Sequence, residues 1–128
     1  ARADLFLGEG NLYSSGNIGF GNGAGTGPVL DQIVGTGNSV MVRFKTGTGP
    51  TAFGTIFTIT YPTAFLTASM VTFSAGCNGA SAEAGDNTAT DFLKFKILSS
   101  GATTFVFKAV GTLAAETRYA VAFNVFGY

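Results

Sequence analysis

The chain has 128 residues, the size of a single domain, and its seven basic and seven acidic residues cancel to a formal net charge of zero. Charged residues make up only 11% of it against 46% hydrophobic residues, with thirteen Phe, no Trp, no His and one Cys. The charge balance argues against nucleic acid as a partner. The residue content excludes Ser-His-Asp and Cys-His catalysis, histidine-containing zinc sites and an intrachain disulfide.

The first 28 residues read as a Gly-rich arm. Eight glycines fall between Gly8 and Gly27, at every second or third position from Gly16 onward, a pattern that is costly to order and offers few side chains to bury. Apolar residues are nevertheless spaced through it. Leu5, Phe6, Leu7, Leu12 and Phe20 are the expected anchors of an arm that lies on a neighbouring surface. The start lacks the apolar core of a secretory signal, and no run anywhere approaches the roughly 20 apolar residues of a membrane span. An initial Ala fits removal of an initiator Met or a proteolytic cut, and the lone Cys77 fits a reducing compartment.

Residues 29–128 read as a β-sandwich body built from strands of period two. Val29 to Val34 is expected to form a short edge strand. Ser39 to Thr46 turns Val40, Val42 and Phe44 to one face, and Thr55 to Tyr61 turns Phe57, Ile59 and Tyr61 inward against Ile56, Thr58 and Thr60. Ser69 to Ala75 follows with Val71 and Phe73, and residues 76–90 form a small polar connection. Phe92 to Leu98 alternates Leu93, Phe95 and Ile97 against Lys94 and Lys96. Thr103 to Val110 groups Phe105, Phe107 and Ala109; Arg118 to Phe126 groups Tyr119, Val121, Phe123 and Val125. The predicted core is Val42, Phe44, Phe57, Ile59, Val71, Phe73, Phe95, Phe105, Phe107, Val121 and Phe123. No helical stripe exceeds the turn around Leu113 to Thr117. Seven short strands with regular turns predict an all-β fold, an antiparallel, jelly-roll-like sandwich preceded by the arm.

The candidate chemical motifs favour structure over catalysis. No window has the dinucleotide-binding glycine pattern between a strand and a helix, and Lys45-Thr46 lacks the preceding glycine of a P-loop. Glu83, Asp86 and Asp91 lie close together but miss the alternating ligand pattern of a calcium loop, and a solvated loop accounts for them. Lys94 and Lys96, with Arg43 and Lys45, suit solvated faces and edge protection. Phe in excess of Tyr and Trp suits a core better than a sugar-stacking platform. Neither catalytic nor metal-ligating residues are assigned, and no cofactor is expected.

One set of segments resembles a known family. Gly35-Thr36-Gly37-Asn38-Ser39-Val40, Thr46-Gly47-Thr48-Gly49-Pro50, Gly54-Thr55-Ile56-Phe57-Thr58-Ile59-Thr60-Tyr61 with Thr63-Ala64-Phe65, and Val71-Thr72-Phe73-Ser74-Ala75 are similar to a domain at the C-terminal ends of tailed-phage and prophage structural proteins. Tyr119-Ala120-Val121-Ala122-Phe123-Asn124-Val125 resembles that family's last strand. An Asp of the family's pattern is replaced by Gly37, and its Pro-Ala-Asn turn by Ala75-Gly76-Cys77-Asn78. The resemblance spans about residues 35–128 and implies a non-enzymatic virion component that forms homotrimers. It brings no catalytic residues.

The expected function is therefore a capsid decoration (cement) protein or a small fibre or spike subunit, assembled in the bacterial cytoplasm. It would dock through its arm onto the major capsid protein or a tail component. The competing reading is a carbohydrate-binding module that recognises a host glycan through the same sandwich; neither nucleic acid nor membrane is expected as a partner.

Overall fold

A computed structural model describes residues 12–36, 38–75 and 92–128. The described chain forms eight strands: β1 (Ile18–Phe20), β2 (Val29–Thr36), β3 (Ser39–Lys45), β4 (Thr55–Thr60), β5 (Ser69–Ala75), β6 (Phe95–Ser100), β7 (Thr104–Ala109) and β8 (Arg118–Gly127). They build two four-stranded antiparallel sheets, ordered β1-β4-β7-β6 and β2-β3-β8-β5. This is an all-β sandwich, as the period-two runs predict. None of its described helical segments is long and apolar enough to cross a membrane.

Strand alternation works because one sheet face meets the other sheet and the second faces solvent. On β3, Val40, Val42 and Phe44 are buried; on β8, Tyr119, Val121, Phe123 and Val125. The opposing sheet supplies Phe57, Ile59, Phe95, Phe105, Phe107 and Ala109. Aromatic rings bridge the two layers edge to face: Phe44 meets Phe57 at 5.6 Å and 87°, and Tyr119 meets Phe95 at 5.7 Å and 86°. Such geometry sets the positive edge of one ring against the negative face of the next, adding roughly 0.5–1.5 kcal/mol per pair beyond area burial.

The structure amends several sequence expectations. Ile56 was expected on the outer face but is fully buried. The pairing of β4 with β7 slips between Thr55 and Phe57, and the extra residue of that bulge turns inward. Leu93 was expected on the inner face of a strand but is 89% exposed, because Phe92–Lys94 is a single 3-10 turn and β6 begins only at Phe95. Phe73 is half-buried, its ring lying 5.3 Å from that of Phe107. The edge strand β2 runs eight residues, longer than expected.

The segment read as an arm is divided. Residues 1–11, with Leu5, Phe6 and Leu7, lie outside the described residues, but residues 12–28 are built into the sandwich. β1 pairs with β4, setting Ile18 opposite Ile59 and Phe20 opposite Phe57. Tyr13 and Ala24 belong to the core. Glycine makes this docking physically available. Thr26 and Thr48 exchange backbone hydrogen bonds of 2.8 and 3.0 Å, and Gly47 donates to the Ala24 carbonyl at 2.8 Å. A Cβ on Gly47 would overlap the Thr26 carbonyl, and one on Gly23 the Gly54 carbonyl. The glycines let two backbones touch, as a close-packed strap requires, but the second backbone is the chain's own.

Candidate assembly surface

The two ends of the sandwich differ in charge. At one end the connections 46–54 and 110–117 meet, with Thr46 donating its N–H to the Thr117 carbonyl at 2.9 Å and Glu116 to the Gly47 carbonyl at 3.0 Å. Lys94 reaches the same place, its Nζ donating to the Thr112 carbonyl at 3.0 Å. At the opposite end the connection 61–68 lies against the 101–103 turn and the last residues of the chain. There Phe65 donates to the Ala102 carbonyl at 2.8 Å and Ala68 to the Tyr128 carbonyl at 2.9 Å.

Every charged side chain among the described residues belongs to the first end. These are Asp31, Arg43, Lys45, Lys94, Lys96, Lys108, Glu116 and Arg118, all on strand portions or connections nearest 46–54. Arg118 and Asp31 form an ion pair at 3.3 Å across the edge of the second sheet. Among the described residues the opposite end, from Thr60 to Ala75 and from Ile97 to Phe107, has no charged residue, and neither does the stretch after Arg118.

That uncharged end carries exposed apolar side chains. Met70 of β5 stands directly opposite Phe126 of β8 on the outer face of the second sheet, 63% and 66% exposed. Tyr128 continues the ladder against Ala68, and Leu66, two residues before Ala68, is 96% exposed. Leu12 is exposed beside the same end, since the next residue, Tyr13, donates its N–H to the Gly35 carbonyl at 3.2 Å. Of the five anchors expected from sequence, Leu12 alone of the described ones is exposed. Phe20 is half-buried against its own core, 5.9 Å from the Phe44 ring and 6.1 Å from the Phe57 ring. Leu66, Met70, Phe126 and Tyr128 were not singled out by sequence, because a period-two pattern does not distinguish an outward apolar residue that meets water from one that is covered.

Beneath this surface a buried polar clasp holds the sheets together. The Tyr61 hydroxyl and Ser69 Oγ share a hydrogen bond of 2.7 Å, Ser69 Oγ donates to the Gly101 carbonyl at 2.7 Å, and Ser100 Oγ donates to the Ser69 carbonyl at 2.8 Å. Burial pushes the Tyr61 phenol above its ordinary range, partly offset by the Ser69 hydrogen bond. The Tyr13 phenol is raised further, first by burial and then by the neighbouring Tyr61. The Tyr61, Ser69 and Ser100 hydroxyls are satisfied structural groups that tie the sheets together at the apolar end.

Chemical groups are sparse. Among the described residues no cluster of three His, Cys, Asp or Glu is placed to hold a metal. Cys77, Glu83, Asp86 and Asp91 lie outside the described residues. No protein-family model, curated protein or solved structure matches the chain.

Proposed function

We propose that this chain is a non-enzymatic structural subunit that works by being packed into a larger assembly through the uncharged end of its sandwich. The observation that carries the reading is the segregation of charge. A surface with Leu66, Met70, Phe126 and Tyr128 exposed and no charge nearby among the described residues has the composition of an interface core, where charged residues are depleted and aromatic residues and Met enriched. The resemblance of residues 35–128 to the tailed-phage domain supplies the setting: a capsid decoration protein or a small fibre or spike subunit that forms homotrimers and binds the major capsid protein or a tail component.

Docking in this reading no longer depends on the whole Gly-rich segment. Residues 12–28 belong to the body, so of the Gly-rich segment only residues 1–11, outside the described residues, are left to serve as an arm. The reading is tested by light scattering coupled to size exclusion, together with co-sedimentation of the purified protein with phage particles. A trimer that sediments with particles supports it. A protein that stays monomeric across concentrations and ignores particles overturns it, and binding to a neutral host glycan in place of particles would favour the carbohydrate-binding module.

A further inference from the structure

The outer face of the first sheet carries a second feature, independent of the apolar end. In the ladder β4-β7-β6, Thr55 stands opposite Lys108, and Lys108 opposite Lys96. Their strand neighbours Phe95, Phe107 and Ala109 are buried, so the two lysines project from the outer face. Directly opposed residues on one sheet face have Cβ atoms about 4.5–5.5 Å apart, and like charges placed so are destabilising. Two flexible lysine stems at that spacing can bring both ammonium groups onto one anion. Neither lysine has an ion pair among the described residues; the Arg118–Asp31 pair lies on the other sheet.

Among the described residues the rest of this ladder carries no charge and sets hydroxyls around Val106. Thr58 stands opposite Val106 and Val106 opposite Ser99, while Thr60 faces Thr104. We propose that the Lys96–Lys108 pair and the hydroxyls beside it form a binding site for an acidic polysaccharide, the two ammonium groups taking one carboxylate, sulfate or phosphate ester and the hydroxyls hydrogen-bonding to the sugar. A protein partner fits the face less well. Interfaces between proteins are anchored by clusters of large apolar or aromatic side chains; on this sheet Leu98 of β6 is half-exposed, whereas the directly paired exposed side chains Met70 and Phe126 lie on the other sheet. Nucleic acid fits less well too, since its binding draws on many phosphate contacts or on exposed stacking aromatics. A polysaccharide with one anionic group per repeat needs only one such cation pair for each group bound.

The test is affinity electrophoresis of the full chain in gels containing alginate, heparin, neutral dextran or polyglutamate, at low and at raised salt. Retardation by alginate or heparin and not by dextran is expected, weakening as salt screens the charges; retardation by alginate, whose only anionic groups are carboxylates, shows whether carboxylate suffices. The double variant K96Q/K108Q is expected to weaken binding at least about tenfold, the scale of a lost charge-assisted contact. K96R/K108R should retain binding, and K45Q, which removes a cation from the other sheet, should leave it unchanged. Unaltered binding by K96Q/K108Q, an equal loss in K45Q, polyglutamate binding as strong as polysaccharide binding, or no retardation by either acidic polysaccharide would overturn the proposal. None of these outcomes bears on trimer formation, which is read separately.

Discussion

The rings of Phe107 and Phe123 meet edge to face across the two sheets, centroids 5.0 Å apart and planes at 89°. Phe107 also lies 5.0 Å from Phe57 and 5.1 Å from Phe95, so one side chain joins both layers of the aromatic core. Phe107→Ala is expected to cost about 3–5 kcal/mol, through lost transfer energy and a cavity that rings on all sides cannot fill. In a double-mutant cycle with Phe123→Ala the coupling should be about 0.5–1.5 kcal/mol. Urea unfolding of the four proteins measures both, and additive losses would show that the pair is packed less tightly than its geometry implies.

Two glycine substitutions should act in opposite directions. Gly47 lies against the Thr26 carbonyl, where a Cβ would overlap backbone, while a Cβ on Gly19 meets nothing within 4 Å. Gly47→Ala is expected to destabilise by about 1–3 kcal/mol, as overpacking does. Gly19→Ala should be neutral or stabilising by up to about 1 kcal/mol, by restricting the unfolded chain. Thermal melts of both decide whether the strap of residues 21–27 is as tightly seated as described.

Thr46 is a buried hydroxyl that ties the connection 110–117 to the end of β3. Its Oγ1 donates to the Ala114 carbonyl at 2.6 Å and accepts the Thr117 N–H at 2.9 Å. Thr46→Val keeps the shape and leaves one buried donor and one acceptor unmet, at a cost of about 1–3 kcal/mol. Amide exchange should quicken at Thr117 in the variant while the strand interiors of β7 and β8 keep their relative protection. Unchanged exchange at Thr117 would show that the hydroxyl does not hold this connection.

Alkaline pH should unfold the protein through its buried phenols. Tyr13 and Tyr61 both ionise above the ordinary tyrosine value of 10.0 in the folded state, because burial disfavours the phenolate. Below pH 10 both phenols are protonated folded and unfolded, so their contribution is fully present. Above it the unfolded chain releases protons first, and stability falls as pH rises toward the folded-state values. Tyr13→Phe should flatten the decline above pH 10, measured as melting temperature against pH. An identical slope in the variant would assign the decline elsewhere.

Met70→Ser with Phe126→Ser tests the apolar end directly. Both side chains are exposed on the outer face, so stability should change little, within about 0.5 kcal/mol per site. Self-association or particle binding should weaken severalfold while the circular dichroism spectrum is unaltered. Retained association would move the interface away from this end.

Much of the fold was legible because period-two alternation is a local property of the pleat: wherever apolar residues recur at every second position, one face must be covered. That rule found β3, β7 and β8 with the correct residues inward. It failed where a bulge broke the period, at Ile56, and where a 3-10 turn replaced the first residues of β6, at Leu93. It also missed β1, whose Ile18-Gly19-Phe20 is too short to show a period and is stabilised by β4, a strand far along the chain.

By itself, then, the sequence determined the class of the fold, the inward faces of the long strands, and a chemistry without histidine or a cysteine pair. Tertiary structure alone decided that residues 12–28 belong to the body, since that depends on which backbone the glycines touch. It alone decided that the charges of the described residues gather at one end, that Met70 meets Phe126, and that Lys96 meets Lys108. Each of these depends on the register between strands, which is set by how distant segments pack together, and no local run of residues carries that information.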